Sequence, residues 1–460
     1  MKQKITLSIV VLFVTFGLTC YSQENSDREF YLRPSYWRPY DKRGINVFET
    51  TKQPDTIPFE GPRIRFGAGF TQQFQSLKHE NPEAINNGGS SVTTAGANKL
   101  YPISPGFMTS MANLYIDAQL ADGIRLNLTS YLSTRHHNET WVKGGYIQID
   151  KLPFKGNFWD MLTHLTTIKI GHMEINYGDQ HFRRSDGGHT LYNPFMDNYI
   201  IDEFTTEIAG EVYLHLNGLF GMIGVSSGTI KGGVDSVIAT TTDQTTSRNP
   251  SIYLKGGLDK TIGDNIRLRL TGSYYHNSSS PTGLTLYGGD RTGSNYQNVM
   301  EKWVTNAGTS AAAPQASTVI AFSGRFNPNF SKLVDAYMVN GFAKWRGFEF
   351  FGTYEYAKGR TKNEIDKREA SQFAAEGLFR FGRDESLYIG ARYNKVESEM
   401  PNLADPIHID RVAGAAGWFV TKNLLLKAEY LVQKYLDFPT SDYRAGGKFD
   451  GFVIEAVVGF

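Results

Sequence analysis

The sequence predicts an all-β protein: a transmembrane antiparallel β-barrel of about 16 strands, with short turns at one end and long loops at the other. Three observations predict it. Segments of about ten residues alternate apolar and polar side chains with period two. They come in pairs joined by very short turns, and long polar loops separate the pairs. Beyond the N-terminal stretch, no apolar run reaches the roughly 18 residues that a spanning helix needs, and mean hydropathy is −0.35. A barrel strand meets lipid with only every second residue, so low average hydropathy is compatible with spanning.

Composition agrees. Aromatic residues make up 13% and there are 47 glycines, which suits interfacial girdles and tight turns. Lys and Arg number 47 against 46 Asp and Glu, so the basic surplus of a nucleic-acid-binding protein is missing.

The elements follow in order. Residues 1–22 read as a secretory signal peptide: Lys2 and Lys4 precede an apolar run from Ile5 to Leu18, and Cys20 and Ser22 are the small −3 and −1 residues. The rival reading makes Cys20 a lipoprotein anchor, for which Gly17 and Thr19 are poorly suited. Cys20 is the only cysteine, so cleavage after Ser22 leaves no disulfide. Residues 23–62 form an N-terminal extension. Pro34, Pro39, Pro54, Pro58 and Pro62 argue against a central strand or long helix there. The extension is expected to pack against the barrel mouth or reach into it.

The barrel is expected over 63–460. Its clearest hairpins join 112–120 to 124–132, 208–216 to 219–227 across Asn217-Gly218, and 252–259 to 266–274. Others join 334–343 to 348–356, 373–381 to 387–393, and 411–419 to 424–432. Strands at 64–74, 142–150, 166–177 and 449–460 bring the count to about 16. Long loops are expected at 79–104, 179–202, 228–249, 277–333, 358–370 and 434–448. Closure follows from hydrogen bonding: in hydrocarbon every backbone N–H and C=O must be paired, and only a closed sheet has no edge. A cylinder this wide holds water unless a loop narrows it.

The last segment, DGFVIEAVVGF, places Phe452, Ile454, Ala456, Val458 and Phe460 on one face. It resembles the closing strand of Gram-negative outer-membrane barrels, in which the assembly machinery reads a terminal aromatic; the resemblance implies that role for Phe460. With the leader and the strand pattern, the chain from Arg63 to Phe460 resembles the porin superfamily. IKIGHMEINYGD, followed by a long loop and GEVYLHLNGLFGMIGVSSG, is similar to porins grouped around phosphate-selective channels. Their basic ladder is missing here, so only architecture is carried over. The resemblance implies a Gram-negative outer membrane, and the even strand count puts both termini in the periplasm. It also implies outer-membrane lipid and the barrel assembly machinery as partners, small hydrophilic solutes, a homotrimer and no cofactor.

The densest polar stretch holds His172, Glu174, Asp179, His181, Arg183, Arg184, Asp186, His189, Asp197, Asp202, Glu203 and Glu207. Porins fold a loop in this place into the lumen. Asp179, His181, Arg183, Arg184, Asp186, His189 and Asp197 are therefore expected to form a constriction, with acids and bases setting a transverse field. The alternative is a solvated external loop. A metal reading with His172, Glu174, His181 and His189 matches no zinc spacing. Strict alternation would also turn His172 and Glu174 outward, unless a bulge at Gly171 or exit from the bilayer intervenes.

Inward positions give the remaining lining: Arg65, Arg125, Lys255, Arg267, Arg269, Arg380, Arg392 and Lys427 against Asp117, Glu211, Asp259, Glu349, Glu355, Glu376, Glu429 and Glu455. The alternative for each is a solvated wall residue or a cross-strand ion pair worth at most about 1 kcal/mol. No nucleophile elbow, Walker loop, HExxH or CxxC occurs, so no enzyme is expected. The leading expectation is a water-filled diffusion channel for small hydrophilic or ionic solutes, constricted by 179–202. The alternatives are a non-conducting structural or assembly barrel that binds a partner through its loops or N-terminal segment, and an outer-membrane lipid hydrolase, for which no Ser–His set stands out.

Overall fold

The computed structural model describes residues 34, 36–49, 52, 57–82, 98–108, 110–133, 140–185, 189–228, 236–263, 265–278, 286–288, 295–305, 314–316 and 324–460. The leader, Cys20 and Asp186 lie outside the described residues.

Sixteen strands close into one antiparallel cylinder. The first eight are β1 (Arg63–Glu80), β2 (Met111–Ala121), β3 (Ile124–Ser133), β4 (Thr140–Ile149), β5 (Thr166–Glu174), β6 (Thr206–Leu216), β7 (Leu219–Ser226) and β8 (Ser251–Ile262). The others are β9 (Ile266–Asn277), β10 (Leu333–Trp345), β11 (Phe348–Arg360), β12 (Arg368–Phe381), β13 (Leu387–Ser398), β14 (Ile407–Thr421), β15 (Leu424–Leu436) and β16 (Lys448–Gly459). Each pairs with its sequence neighbours. A two-residue piece, Gly106–Phe107, adds to β1 above β2 and is not counted among the sixteen.

β1 closes the barrel. Its first half pairs with β2 from Arg63↔Gln119 to Thr71↔Met111, and its second half with β16 from Gly69↔Gly459 to Glu80↔Lys448. At the seam Phe460 N donates to Ala68 O at 3.0 Å and Ala68 N donates to Phe460 O at 2.8 Å. The start of β1 and the end of β16 lie at the short-turn end.

The faces are inverted relative to a water-soluble sheet protein. Ile64 and Phe66 are 65% and 64% exposed, while the inward Gln73 and Asn113 are 2% and 1% exposed. Leu128, Ile170, Val212, Leu268, Phe350, Ile389 and Ile454 continue the exposed apolar belt around the wall. An apolar belt of this extent has only lipid to face.

Several elements differ from expectation. β11 and β12 run on to Arg360 and from Arg368, which shortens the loop expected at 358–370. A helix, α1 (Asn157–Leu165), stands between β4 and β5 where only a connection was expected. Its apolar Phe158, Met161, Leu162 and Leu165 recur at helical spacing. β5 ends at Glu174 rather than 177, and there is no bulge at Gly171: the register with β6 is unbroken from Thr166↔Leu214 to Glu174↔Thr206. The second remedy holds instead, because the chain leaves the sheet at Glu174 and turns into the lumen.

The lumen of this wide cylinder is narrowed by more than the one loop expected. Residues 36–49 cross it at the short-turn end, residues 175–185 and 189–205 fill its middle, and 295–302 with 324–332 close over them from the long-loop end.

Candidate functional site

The 175–205 loop is held by the inward charges of the wall. Asp179 accepts from Arg269 at 2.8 Å through both oxygens, from Thr271 at 2.9 Å, and pairs with Lys255 at 2.8 Å. Burial alone would push the Asp179 carboxyl up, but Lys255 and Arg269 hold it below the usual carboxylate range. Arg183 bridges Glu349 at 2.8 Å and Glu376 at 3.2 Å, which are also held by Arg380 and Arg392. Lys427 pairs with Glu455 at 2.5 Å and donates to the carbonyls of Thr190, Asn193 and Phe195 at 3.1 Å. Met196 N donates to Glu429 at 2.9 Å. Asp197 lies 3.5 Å from Arg411, and burial pushes its carboxyl up despite Arg325 and Arg411. Arg184 pairs with Asp202 at 2.8 Å.

Apart from Arg184–Asp202, which lies within the loop, these pairs are desolvated and join wall to loop, so most of the expected lining residues act as docking posts instead of facing a water path. Arg267 and Asp259 are partly exposed and pair with each other at 2.7 Å.

A strap from the N-terminal extension lies on top of the loop. The Tyr40 ring stacks on Tyr115 at 4.1 Å, and its hydroxyl donates to Asp117 at 2.8 Å. A Cβ on Gly67 would overlap that ring, so glycine lets Tyr40 lie against the wall. Arg38 donates to Gly44 O and Phe182 O, each at 2.8 Å. Asn46 donates to Glu349 at 2.8 Å, and Glu49 joins Lys255 at 3.0 Å and Arg269 at 2.5 Å. Phe48 packs edge-on against Phe182 and Phe342. His189 Nε2 bonds Tyr40 O at 2.7 Å, tying strap to loop.

His181 shares a hydrogen bond with Asn176 Oδ1 at 2.8 Å. Burial, reinforced by the Lys255 charge, holds its pKa well below the ordinary value, so it is neutral at neutral pH. Glu174 turns inward to within 3.8 Å of His181 and 3.6 Å of Arg184. His172 stays opposite the exposed Ile208, and its Nε2 has no hydrogen-bond partner. Among the described residues no group of three His, Cys, Asp or Glu is placed to hold a metal.

One side of the lumen is left open. The loop docks on β8 to β16 and on β1, and at its start on Glu211 and Tyr213 of β6; a cavity of 510 Å³ remains between strap, loop, the inner faces of β2 to β5 and the start of β6. Arg38, Arg43, Arg125, Lys143 and Lys169 border it, with Glu49 and Glu174 as the acids. The void beside Arg183, Arg184 and Asp202 is only 20 Å³. Of the expected constriction set, His181 alone reaches the larger cavity, and of the expected lumen residues only Arg125 does. Sequence reasoning missed Arg38, Arg43, Lys143, Lys169 and the wall residue Arg411. The arginine- and aromatic-rich run 37–48 was the available signal for the strap, since such residues have little reason to stay in water.

A closed sheet, apolar outside and charged inside, defines a transmembrane antiparallel β-barrel. The solved structures to which the chain is similar include OmpT, an outer membrane protein of Vibrio cholerae. That protein is 10% identical, with 88% of this chain and 99% of that one covered and a TM-score of 0.48. The anion-selective porin from Comamonas acidovorans is 9% identical over 87% of this chain and 100% of that one, with a TM-score of 0.47. The outer membrane channel DcaP of Acinetobacter baumannii is 9% identical over 87% and 98%, also with a TM-score of 0.47. No protein-family model matches the chain, and no curated protein does. At such identity and superposition no residue role passes from these proteins to this chain.

Proposed function

We propose that the protein is a Gram-negative outer-membrane channel for small hydrophilic or ionic solutes, narrowed by the 175–205 loop and covered at its periplasmic end by the 36–49 strap. The observation that carries this is the asymmetry of the filling. Wall charges from β8 round to β1 are consumed by docking, whereas β2 to β6 border a 510 Å³ polar cavity. A plug meant only to seal would lose stability by leaving such a cavity unpacked. In this reading both termini are periplasmic, Phe460 is the mark read by the assembly machinery, and the barrel works without cofactor or catalysis as a homotrimer in lipid.

The filled lumen favours a second reading, a non-conducting barrel. Planar-bilayer recording separates the two. Folded protein is expected to give discrete current steps; no current from protein shown to be folded by its heat-dependent gel shift would leave the second reading standing.

A further inference from the structure

We propose that the cavity is a binding site for a small organic acid: one carboxylate on an apolar, ring-sized body. This rests on the channel reading only in that a solute must enter the lumen.

Two cations on its border have no carboxylate partner. The Arg38 guanidinium donates only to the carbonyls of Gly44 and Phe182 and lies 3.7 Å from the Tyr192 ring centre. Lys169 lies over the rings of Tyr146 at 5.5 Å and Tyr213 at 5.1 Å, and among the described residues no carboxylate is within ion-pair distance of it. The two bordering acids are already engaged, Glu49 by Lys255 and Arg269, Glu174 by Arg184. The free charge facing the cavity is therefore positive. A further donor, Trp37 Nε1, is buried without a hydrogen-bond partner on a residue 4% exposed.

Trp37, Tyr115, Tyr146, Met173 and Phe204 add apolar surface to a border that is otherwise largely polar. An inorganic oxyanion would satisfy the cations and leave these rings facing water. A neutral ring compound would cover the rings and leave Arg38 and Lys169 uncompensated. An acid with an apolar body meets both demands. The volume suits it, since pockets for small organic ligands span about 300–1,000 Å³.

The test is equilibrium dialysis of the detergent-solubilised full chain against labelled benzoate, with benzamide and inorganic phosphate as competitors. Benzoate is expected to bind, and neither competitor to displace it at equal concentration. Lys169→Gln is expected to weaken binding about tenfold, the size expected for one charge-assisted contact. Lys143→Gln, a second wall position whose ammonium lies over Phe204 at 5.5 Å, covers the case in which Lys169→Gln does not fold. Displacement by phosphate or by benzamide, no retained benzoate, or unchanged binding in the folded variant would overturn the proposal. Retention needs no ion current, so benzoate held by a silent barrel would remove the channel and keep the site, and conduction without retention would do the reverse.

Discussion

At the scale of single residues, charge is what positions the interior. Glu349 is the clearest node: it takes Arg183 from the loop, Arg380 from β12 and Asn46 from the strap. Its replacement by Ala leaves two guanidiniums in a dry interior, and breaking a buried pair in this way costs about 3–5 kcal/mol. Glu349→Ala is expected to lower the denaturant midpoint in micelles by a corresponding amount, whereas a solvated wall carboxylate would change it little. Period-two alternation made Glu349 legible as an inward residue. Its partner was not legible, because Arg183 is 166 residues away and nothing local ties the two.

Glu203 works in the opposite sense. Its buried carboxyl faces that of Glu355, and two such groups together favour a proton on one of them. Gln180 and Gln372 donate to Glu203, and Tyr177 and Tyr287 donate to Glu355. Burial, then the Glu355 charge and nearby Asp202, raises the Glu203 pKa well above the ordinary value. A carboxyl raised by folding stabilises the docked loop fully below its unfolded pKa, about 4.3, and that contribution is lost as pH rises through the folded value. The loop is therefore expected to loosen toward alkaline pH. Trypsin cleavage after Arg183 or Arg184, measured against Glu203→Gln at each pH, is expected to rise as pH is raised above the ordinary carboxylate range. A ratio flat with pH would show that the Glu203 proton does not hold the loop.

At the scale of elements, strands were the easy part, because lipid outside and charge inside write a period-two pattern that survives local irregularity. α1 was hidden for the converse reason: a nine-residue helix gives two and a half turns of signal inside what reads as a connection. None of its residues is buried. Phe158 and Met161 are 60% and 52% exposed, beside Leu214 and Leu216 of β6, where the lipid-facing belt meets the short-turn rim. Continuity with that belt assigns the helix face to lipid at the interface of the short-turn end. Brominated lipids are expected to quench a fluorescence component that Trp159→Phe removes. Equal quenching in the two proteins would put the helix in water. The inserted segments were less legible still, since only contacts between distant parts of the chain decide whether a polar loop lies outside or folds inward.

At the scale of the whole molecule, closure makes a cylinder, and uneven filling leaves a cavity along one wall. The strap is the separable part of that filling, since it makes no strand pairing and docks mostly through side chains, with one backbone bond to the wall from Lys42 N to Lys422 O at 2.9 Å. Deleting residues 36–49 is expected to raise conductance severalfold while the heat-dependent gel shift of the barrel persists. Loss of both would make the strap part of the fold.

Selectivity follows from which charges the water path meets. The sequence placed it on Arg183 and Arg184, but Arg183 is sealed between Glu349 and Glu376, and a charge so compensated projects little field into a path beyond it. Lys169 and Lys143 border the open cavity on the opposite wall. In a salt gradient, Lys169→Glu is expected to move the reversal potential toward cation selectivity, and Lys143→Glu to do so additively. Arg183→Ala is expected to act on loop stability and leave the potential near that of the wild type. If Arg183→Ala shifts the potential and Lys169→Glu does not, ions pass through the docked loop instead of along the β2 to β6 wall.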